Sequence, residues 1–343
     1  MNLAESLVDN LGLNLGVYPG VKSRVKYGAK RGVDSCSLSR ACALLQREFF
    51  LLLNEPMARH TTFKVGGPAD LFFAPATKGE LIGVIKRSRD LDIPVVLVGS
   101  GTNLLVRDRG IRGLVVTTKR MNKDLDLAMT TGQEGTITAS SGVILGTVAR
   151  FAMDRGMAGF EFCAGIPGTV GGAVMMNAGT SLGTIADILV SLEVVSGDGK
   201  IITIDRSELS FAHRKIMFDS LDPCMFVLGA RFRVFAGDKQ QIRDRWLSLL
   251  ELRHASQPGK VASAGCFFKN PDGGMPAGLL IDRAGLKGQR FGNAMVSKIH
   301  GNFIVNLGGA TALEILTLKR IVQDEVRKKF NVDLKPEVKI EGE

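Results

Sequence analysis

The sequence contains few of the aromatic and cysteine patterns that mark several protein classes. It has one Trp and two Tyr in 343 residues, so the stacking surfaces that usually accompany single-stranded nucleic-acid binding would have to be built from Phe. Its five cysteines are widely spaced, with no CxxC pair and no Cys/His cluster of zinc spacing. We therefore expect no nucleic-acid partner, no metal site, and a reduced chain that acts in the cytoplasm.

Long apolar segments are also missing. No apolar run is long enough to cross a bilayer, and Glu5 and Asp9 stand where a secretory signal would carry basic residues. We expect neither export nor a membrane partner. Lys and Arg number 44 against 34 Asp and Glu, a formal net charge of +10, which suits small anionic substrates such as nucleotides.

The length and the 45% content of hydrophobic residues indicate an ordinary globular protein of two or three domains. The first fifty or so residues differ from the rest, because they include a basic, glycine-containing stretch with few apolar positions, typical of a loosely docked extension. Apolar residues at helical spacing then predict a helix from Leu38 to Leu53, ending near Asn54 to Pro56.

Two Thr/Glu pairs in capping-box spacing predict helix starts, Thr77 with Glu80 and Thr311 with Glu314. The second helix should bury an apolar face made by Ile315, Leu318, Val322 and Val326. The chain is expected to end in a strand from Leu334 to Ile340.

A glycine-rich turn follows a nearly all-apolar predicted strand, Pro94 to Val98. Glycines allow the positive φ angles that turn successive N–H groups inward, and neighbouring hydroxyl and amide side chains add donors, so the turn could hold a diphosphate without a lysine. It matches neither a GxGxxG fingerprint nor a Walker loop, and a plain tight turn is the alternative. Its residues are Gly99, Ser100, Gly101, Thr102 and Asn103.

The densest run of small residues lies between Phe160 and Gly179. Small residues remove side chains from one surface, so a flat ligand such as an isoalloxazine could lie against the backbone there. Close packing of a loop on a strand is the alternative. The candidate contacts are Gly168, Gly171, Gly172, Ala173, Asn177 and Gly179.

A third candidate site is the segment Ser263 to Pro271. Its thiol, Cys266, can give up a proton, and Lys269 and Asn270 can hold an anionic group. The alternative is that Cys266 is a small buried residue between core phenylalanines.

Arg214 is a further candidate, because a guanidinium among apolar neighbours is costly to bury unless it faces a partner or ligand. An ordinary surface arginine is the competing interpretation.

Six segments together carry a family resemblance. In chain order they are HTTFKVGGPAD, GSGTNLLV, GIPGTVGGAVMMNAG, AGCFFKNP, GLLIDRAGLKG and LKPEV. Their order and spacing closely resemble the UDP-N-acetylenolpyruvoylglucosamine reductases, flavoenzymes of peptidoglycan precursor synthesis. The resemblance runs from about Pro56 to the C-terminus.

The resemblance implies an α+β fold: a two-part FAD-binding domain of the vanillyl-alcohol-oxidase type and an α+β substrate-binding domain. The implied division is an extension at 1–54, FAD-binding subdomains at 55–117 and 118–237, and a substrate-binding domain at 238–343. It also implies that NADPH donates hydride and that FAD mediates reduction of UDP-N-acetylglucosamine enolpyruvate to UDP-N-acetylmuramate, in a protein that is monomeric.

The resemblance also implies the roles of individual residues. The turn at 99–103 would lie on the FAD diphosphate, and the small-residue segment at 168–179 would line the flavin. Arg214 falls on the catalytic arginine, Glu337 on the catalytic glutamate, and Cys266 on the position of the proton donor. Lys269 and Asn270 would help to bind the substrate diphosphate.

Three positions depart from the family pattern: His213 replaces a tyrosine, while Ile216 and Cys266 each replace a serine. The thiol is chemically acceptable, because with an ordinary pKa of about 8.5 it is mostly protonated at neutral pH, and it predicts sensitivity to oxidation. Two other functions remain open from the sequence: a different oxidase of the same flavin class, and a non-catalytic protein that binds nucleotide sugars.

Overall fold

The computed structural model describes residues 35–121, 123–130, 132–212, 214–218, 225–259 and 261–343. The expectations for the basic extension and for His213 lie outside these residues. The described chain opens with helix α1, Ser35–Glu48, and strand β1, Leu52–Pro56. The predicted helix to Leu53 is therefore too long. Its last residues pair instead with β2, Pro68–Phe73, in an antiparallel ladder, and tertiary pairing of this kind overrides local propensity.

The first sheet has the order β1-β2-β5-β3. Strand β5 lies between β2 and β3 and is parallel to both, so its apolar residues are buried on both faces. The Thr77 side chain caps α2 by accepting a hydrogen bond from the Glu80 N–H, as the sequence predicts. The elements of this unit are α2 (Lys78–Asp90), β3 (Val95–Val98), β4 (Leu104–Val106) and β5 (Ile111–Thr117).

The second sheet is antiparallel, with the order β12-β11-β15-β7-β6, and β8 adds to β15. Helices α3 and α4 contribute buried apolar residues to the same core as β7, β11 and β15. The elements are β6 (Leu125–Met129), β7 (Glu134–Ser140), α3 (Leu145–Asp154), β8 (Met157–Ala158), α4 (Val170–Met175), β9 (Gly179–Thr180), β10 (Gly183–Thr184), α5 (Ile185–Ile188), β11 (Leu189–Val195), β12 (Ile201–Asp205), β13 (Leu209–Ala212), β14 (Lys215–Phe218) and β15 (Phe226–Ala236).

In the last part of the chain, two helices and a three-stranded sheet, β16-β17-β18, pack around a core that also includes Phe63, Val65 and Leu105 of the first unit. The predicted capping box is confirmed, because Thr311 and Glu314 bond each other's backbone N–H groups at the start of α8. Helix α6 (Lys239–Ser256) precedes them in the chain, and its Trp246 packs against the core of the second sheet. The elements of the last part are α7 (Ala277–Arg283), β16 (Arg290–Phe291), β17 (Ala294–Val296), β18 (Ile304–Asn306), α8 (Ala312–Phe330) and β19 (Lys339–Glu341).

The C-terminal part is joined to the first unit at several points. Strand β19 pairs in parallel with β4, and the Asp108 carboxylate accepts hydrogen bonds of 2.8 Å from the N–H groups of Ala312 and Leu313 at the start of α8. The predicted strand from Leu334 is shorter than expected, since only Lys339–Glu341 forms a ladder. Within the described ranges, no helix is long and apolar enough to cross a membrane.

Candidate functional site

The β13–β14 hairpin positions Arg214. Ala212 pairs with Lys215 across the hairpin, and Arg214 lies in the loop between the two strands, with a φ of 58°. Positive φ is common in short hairpin loops, but Gly, Asn and Asp are the residues that adopt it at low cost, and for other L residues the cost is about 1–2 kcal/mol. Arg214 therefore adopts a backbone conformation that is unfavourable for its residue type.

Arg214 faces Glu337, which follows the last core segments of the chain. Its Nε lies 2.9 Å from Glu337 Oε1, and the two side chains are 27% and 14% exposed. Nη1 donates a 3.0 Å hydrogen bond to the Gly179 carbonyl. The Nε atom is buried, so the ion pair with Glu337 holds the guanidinium in a fixed position.

Cys266 lies within the same charged group. Burial and the nearby Glu337 raise the pKa of its thiol to about 11, against the opposing effects of Arg214 and Arg253. Its neighbours Phe267 and Phe268 are buried in the core, whereas Cys266 itself is only half-buried. The raised pKa lowers the share of reactive thiolate at neutral pH and so acts against the oxidation sensitivity expected of an ordinary thiol, which stays a prediction.

Arg253 is a member of this group that the sequence did not reveal. It lies in the last turn of α6, where an arginine looks like an ordinary partner of the helix dipole. A Cβ on Gly165 would lie 2.7 Å from Arg253 Cδ, so the arginine crosses directly over that glycine. Burial lowers the pKa of Arg253, Cys266 opposes this, and Arg214 adds to it. No local pattern indicates such a contact.

The glycine-rich turn at 99–103 packs against the small-residue segment. A Cβ on Gly99 would lie 2.4 Å from Thr169 Oγ1, and one on Gly101, at a φ of +68°, would lie 2.0 Å from the His60 carbonyl oxygen. Thr102 Oγ1 donates to the Pro167 carbonyl at 3.5 Å. The first two candidate segments are thus brought together, and these two glycines are required by packing against the protein itself.

Asn103 connects the turn to the catalytic candidates. Its Nδ2 donates to the Glu337 carbonyl at 3.2 Å, and its own carbonyl accepts from the Lys339 N–H at 3.1 Å. The turn therefore lies next to the segment that carries Glu337. The connection places the proposed diphosphate loop beside the proposed catalytic group.

Some residues of the small-residue segment pack closely against the protein, and others leave an open surface. Gly171 is packed closely, since a Cβ there would lie 2.9 Å from Ser141 Cβ, and the buried Ser141 hydroxyl has no hydrogen-bond partner in the described chain. Asn177 Oδ1 accepts from the Ala186 N–H at 3.0 Å, which is a structural role. Gly172 is exposed, and its nearest neighbour to a Cβ would be Thr169 Oγ1 at 3.5 Å.

The features of the segment fit a bound flavin. Gly168, at a φ of +127°, would bring a Cβ within 3.2 Å of Thr102 Oγ1 alone, and Ala173 is buried in the core below. A surface with few side chains allows a flat group to lie against the backbone, where N–H and C=O groups can bond its ring atoms.

Lys269 and Asn270 extend from the Cys266 segment. The Lys269 N–H donates to the Lys335 carbonyl at 2.8 Å. Asn270 Oδ1 accepts from the Ala277 N–H at 3.0 Å, at the start of α7, so the Asn270 oxygen has a structural partner and its amide nitrogen is the group left for a ligand. Their predicted role in binding the substrate diphosphate stays a prediction. In the ranges that the structure describes, no group of three or more His, Cys, Asp or Glu could hold a metal ion.

Comparison with known proteins gives two family matches. Residues 69–205 match an FAD binding domain, and residues 257–341 match the C-terminal domain of UDP-N-acetylenolpyruvoylglucosamine reductase. The first match confirms the predicted FAD-binding fold and FAD as the cofactor. The α+β character follows from the mixed first sheet and the antiparallel second sheet described above.

Similar whole proteins carry the same name. The UDP-N-acetylenolpyruvoylglucosamine reductase of Desulfosudis oleivorans is 44% identical over 294 residues, covering 84% of this chain and 94% of that protein. The Clostridium kluyveri protein is 42% identical over 291 residues, covering 85% and 93%. The crystal structure of the Thermus caldophilus reductase superposes with a TM-score of 0.70 at 37% identity, covering 84% of this chain and 97% of that one.

Proposed function

This chain belongs to the UDP-N-acetylenolpyruvoylglucosamine reductase family, and we propose that it reduces UDP-N-acetylglucosamine enolpyruvate to UDP-N-acetylmuramate for peptidoglycan precursor synthesis. FAD is its cofactor and NADPH its hydride donor. The main structural support for this proposal is the arrangement of the three catalytic candidates. Arg214, Cys266 and Glu337, which are far apart in sequence, interact as one charged group beside the turn that contains Asn103.

Cys266 is assigned the role of general acid. Reduction of the enolpyruvyl double bond adds a hydride to one carbon and a proton to the other, and a positioned acid that supplies the proton typically contributes about a hundred- to ten-thousand-fold in rate. A thiol with a pKa of about 11 holds its proton throughout the neutral range. It is still a stronger acid than the serine hydroxyl it replaces.

Arg214 is assigned the stabilisation of negative charge. Hydride addition leaves an electron pair on the substrate that is delocalised toward its carboxylate, and a fixed cation stabilises this charge as it develops. Glu337 holds the Arg214 guanidinium in place, with Nε 2.9 Å from Glu337 Oε1. Arg253 supplies a second cation close to Cys266.

FAD, when bound, carries hydride from the nicotinamide donor to the substrate. The chain would hold it with the turn at 99–103 and with Gly168, Gly171, Gly172 and Ala173, while Asn177 and Gly179 shape the segment from behind. Arg214 reaches this segment through the Gly179 carbonyl. Lys269 and the Asn270 amide would bind the substrate diphosphate.

We also propose that the protein acts in the cytoplasm as a monomer. We propose that it consists of an N-terminal extension (1–54), two FAD-binding subdomains (55–117 and 118–237) and a substrate-binding domain (238–343). One chain supplies Arg214, Arg253, Cys266 and Glu337, so the proposed site does not need a second copy of the chain. The elution volume of the purified protein against standards would test the monomer, and a dimer would contradict it.

An anaerobic titration tests the function directly. The purified protein is expected to be yellow, to lose its flavin absorbance when NADPH is added, and to regain it when UDP-N-acetylglucosamine enolpyruvate follows. Bleaching without recovery would contradict the proposed substrate. Recovery with oxygen alone, and none with the enolpyruvyl substrate, would instead indicate an oxidase.

A further inference from the structure

Arg253 carries a positive charge that no carboxylate of the described chain neutralises. Its side chain is half-buried, and none of the described Asp and Glu residues lies within ion-pair distance of it. Glu337, the carboxylate of the proposed site, is already paired with Arg214. Partial burial of an unpaired guanidinium costs free energy. Its presence here therefore points to a negative charge that arises during the reaction.

Packing over Gly165 fixes the position of Arg253. A Cβ on Gly165 would lie 2.7 Å from Arg253 Cδ, 3.5 Å from Arg253 Nε and 3.1 Å from Leu250 Cδ1. The φ of Gly165 is +70°, a conformation that glycine adopts at low cost. A side chain at position 165 would displace the arginine, so this glycine leaves the room that Arg253 occupies.

The backbone that carries the Cys266 thiol is also fixed. Cys266 forms a β-bridge with Phe303, and the Phe267 N–H donates to the Asn302 carbonyl at 2.7 Å. A Cβ on the preceding residue, Gly265, would meet no atom within 4 Å. The thiol is therefore held by a fixed strand segment next to open space, where a substrate can approach it.

The charges that face the thiol leave a surplus of one positive charge. Burial and Glu337 raise the pKa of the Cys266 thiol, and Arg214 and Arg253 oppose them. The two arginines also repel each other, since Arg214 lowers the pKa of Arg253. Two cations and one carboxylate around a neutral thiol are balanced when one negative charge forms among them.

Proton transfer in the proposed reaction moves such a charge onto the sulfur. The S–H bond of Cys266 breaks and its electron pair stays on sulfur, while the proton bonds to the substrate carbon that did not receive the hydride. One unit of negative charge thereby passes from the substrate to the thiolate. Arg214, held by Glu337, is assigned to the charge on the substrate, so Arg253 is the cation that remains for the sulfur.

We propose that Arg253 is a positioning residue that acts through Cys266, because its guanidinium stabilises the thiolate that forms when Cys266 gives its proton to the substrate. The inference rests on the proposed function, since it takes Cys266 as the general acid. This role needs the sulfur, whereas the role of Arg214 does not. Solvent returns a proton to the thiolate after each turnover.

A first test measures the contact without the reaction. The full chain as purified is alkylated with iodoacetamide at about pH 9, where an ordinary thiol is largely ionised. Mass spectrometry follows the rate at Cys266 in the wild type, Arg253→Met, Arg253→Lys and Arg243→Met. Arg243 is an exposed arginine of the same helix and controls for the loss of one positive charge. The half-buried Cys42 reports whether each variant keeps its fold.

Arg253→Met should lower the alkylation rate of Cys266 by about threefold or more. Loss of a nearby cation reduces the thiolate fraction by about tenfold, and the higher nucleophilicity of the remaining thiolate recovers part of that loss. Arg253→Lys should lose less, and Arg243→Met should match the wild type. The rate at Cys42 should be the same in every protein. An unchanged rate at Cys266 in Arg253→Met would overturn the proposal.

A second test links the contact to the reaction. Reoxidation of the reduced flavin by the enolpyruvyl substrate is measured at several substrate concentrations for Arg253→Met, Cys266→Ala and the double variant. Arg253→Met should lower the limiting rate by about tenfold. It should leave the half-saturating concentration within about twofold, because the thiol is neutral until the proton moves. Adding Arg253→Met to Cys266→Ala should cause no further loss, since the two residues act as one unit.

Three results of the second test would overturn the inference. An equal loss with and without Cys266 would show that Arg253 does not act through the thiol. A raised half-saturating concentration with an unchanged limiting rate would place Arg253 on an anionic group of the substrate. Equal slowing of flavin reduction by NADPH would indicate general disruption of the site. A fully active Cys266→Ala would instead overturn the proposed general acid, while the alkylation rates would still decide whether Arg253 contacts the thiol.

Discussion

Arg214 and Glu337 form an ion pair between two parts of the chain that are 123 positions apart, with Nε 2.9 Å from Oε1. The arginine comes from a hairpin loop beside the FAD-binding segment, and the glutamate comes from the C-terminal segment. Both charges act on the pKa of the Cys266 thiol, so the pair fixes the electrostatic environment of the proposed proton donor. The site therefore forms only when the FAD-binding and substrate-binding parts of the chain are packed together.

The first prediction concerns the shape of the Arg214 cation. Arg214→Lys keeps the charge but removes the planar group that reaches both Glu337 and the Gly179 carbonyl. We expect reoxidation of the reduced flavin by the enolpyruvyl substrate to slow by roughly a hundredfold, as for a lost transition-state contact. Stopped-flow absorbance measures this step, and flavin reduction by NADPH is the internal control. An equal loss in both steps would contradict the assigned role.

The second prediction concerns the proton donor. Cys266→Ala should slow the step with the enolpyruvyl substrate by about a hundred- to ten-thousand-fold, with flavin reduction by NADPH unaffected. Cys266→Ser, which restores a donor, should recover part of the lost rate. Cys42→Ala provides the control, because Cys42 packs against the first core and away from the site. A fully active Cys266→Ala would rule out the thiol as the acid.

The third prediction concerns pH. Burial and Glu337 raise the pKa of Cys266 to about 11, so the donor is present below that value and lost as the thiol ionises. The rate of the substrate step in the wild type should therefore show no loss through pH 8.5, where an ordinary thiol titrates, and should begin to fall only as the pH approaches about 11. Cys266→Ser should lack this fall. A midpoint near 8.5 in the wild type alone would contradict the raised pKa.

The same shift contributes to stability with a definite sign. The unfolded thiol ionises near its ordinary pKa of about 8.5, while the folded thiol keeps its proton to about pH 11. The folded state therefore binds more protons between these values, and its stabilising contribution is present below about pH 8.5 and lost as the pH rises toward 11.

Local signals in the sequence predicted local structure. The two Thr/Glu capping pairs begin helices α2 and α8 as expected, because a cap depends on residues three positions apart. The apolar face of α8, Ile315, Leu318, Val322 and Val326, is fully buried. The predicted helix runs two residues into the strand at Leu52–Pro56, because the conformation of that strand depends on its pairing with Pro68–Phe73.

The candidate site likewise has features that local sequence predicts and features that depend on the fold. The proximity of the glycine-rich turn, the small-residue segment and Arg214 depends on the fold, and a family resemblance was needed to predict it. Arg253 was missed because its contact with Gly165 joins α6 to a loop 88 positions earlier. The raised pKa of Cys266 was also beyond the sequence, because burial and Glu337, which lies far along the chain, cause it.

The last prediction separates glycines that the fold requires from one that it does not. At Gly101 the φ is +68°, and a Cβ would lie 2.0 Å from the His60 carbonyl oxygen. Gly101→Ala must therefore move the turn or the His60 backbone, and we expect a loss of more than about 2 kcal/mol in the free energy of unfolding, together with weaker FAD binding. Gly146→Ala is the matched control, because its Cβ would meet nothing within 4 Å in helix α3.

Gly146→Ala should leave FAD binding unchanged and stabilise the protein by up to about 1 kcal/mol, since alanine is the better helix former. Urea unfolding followed by circular dichroism gives both free energies, and flavin fluorescence gives the Kd. Equal effects of the two substitutions would show that the turn tolerates a side chain at Gly101. In that case its close approach to the His60 backbone could not be what holds the diphosphate loop in shape.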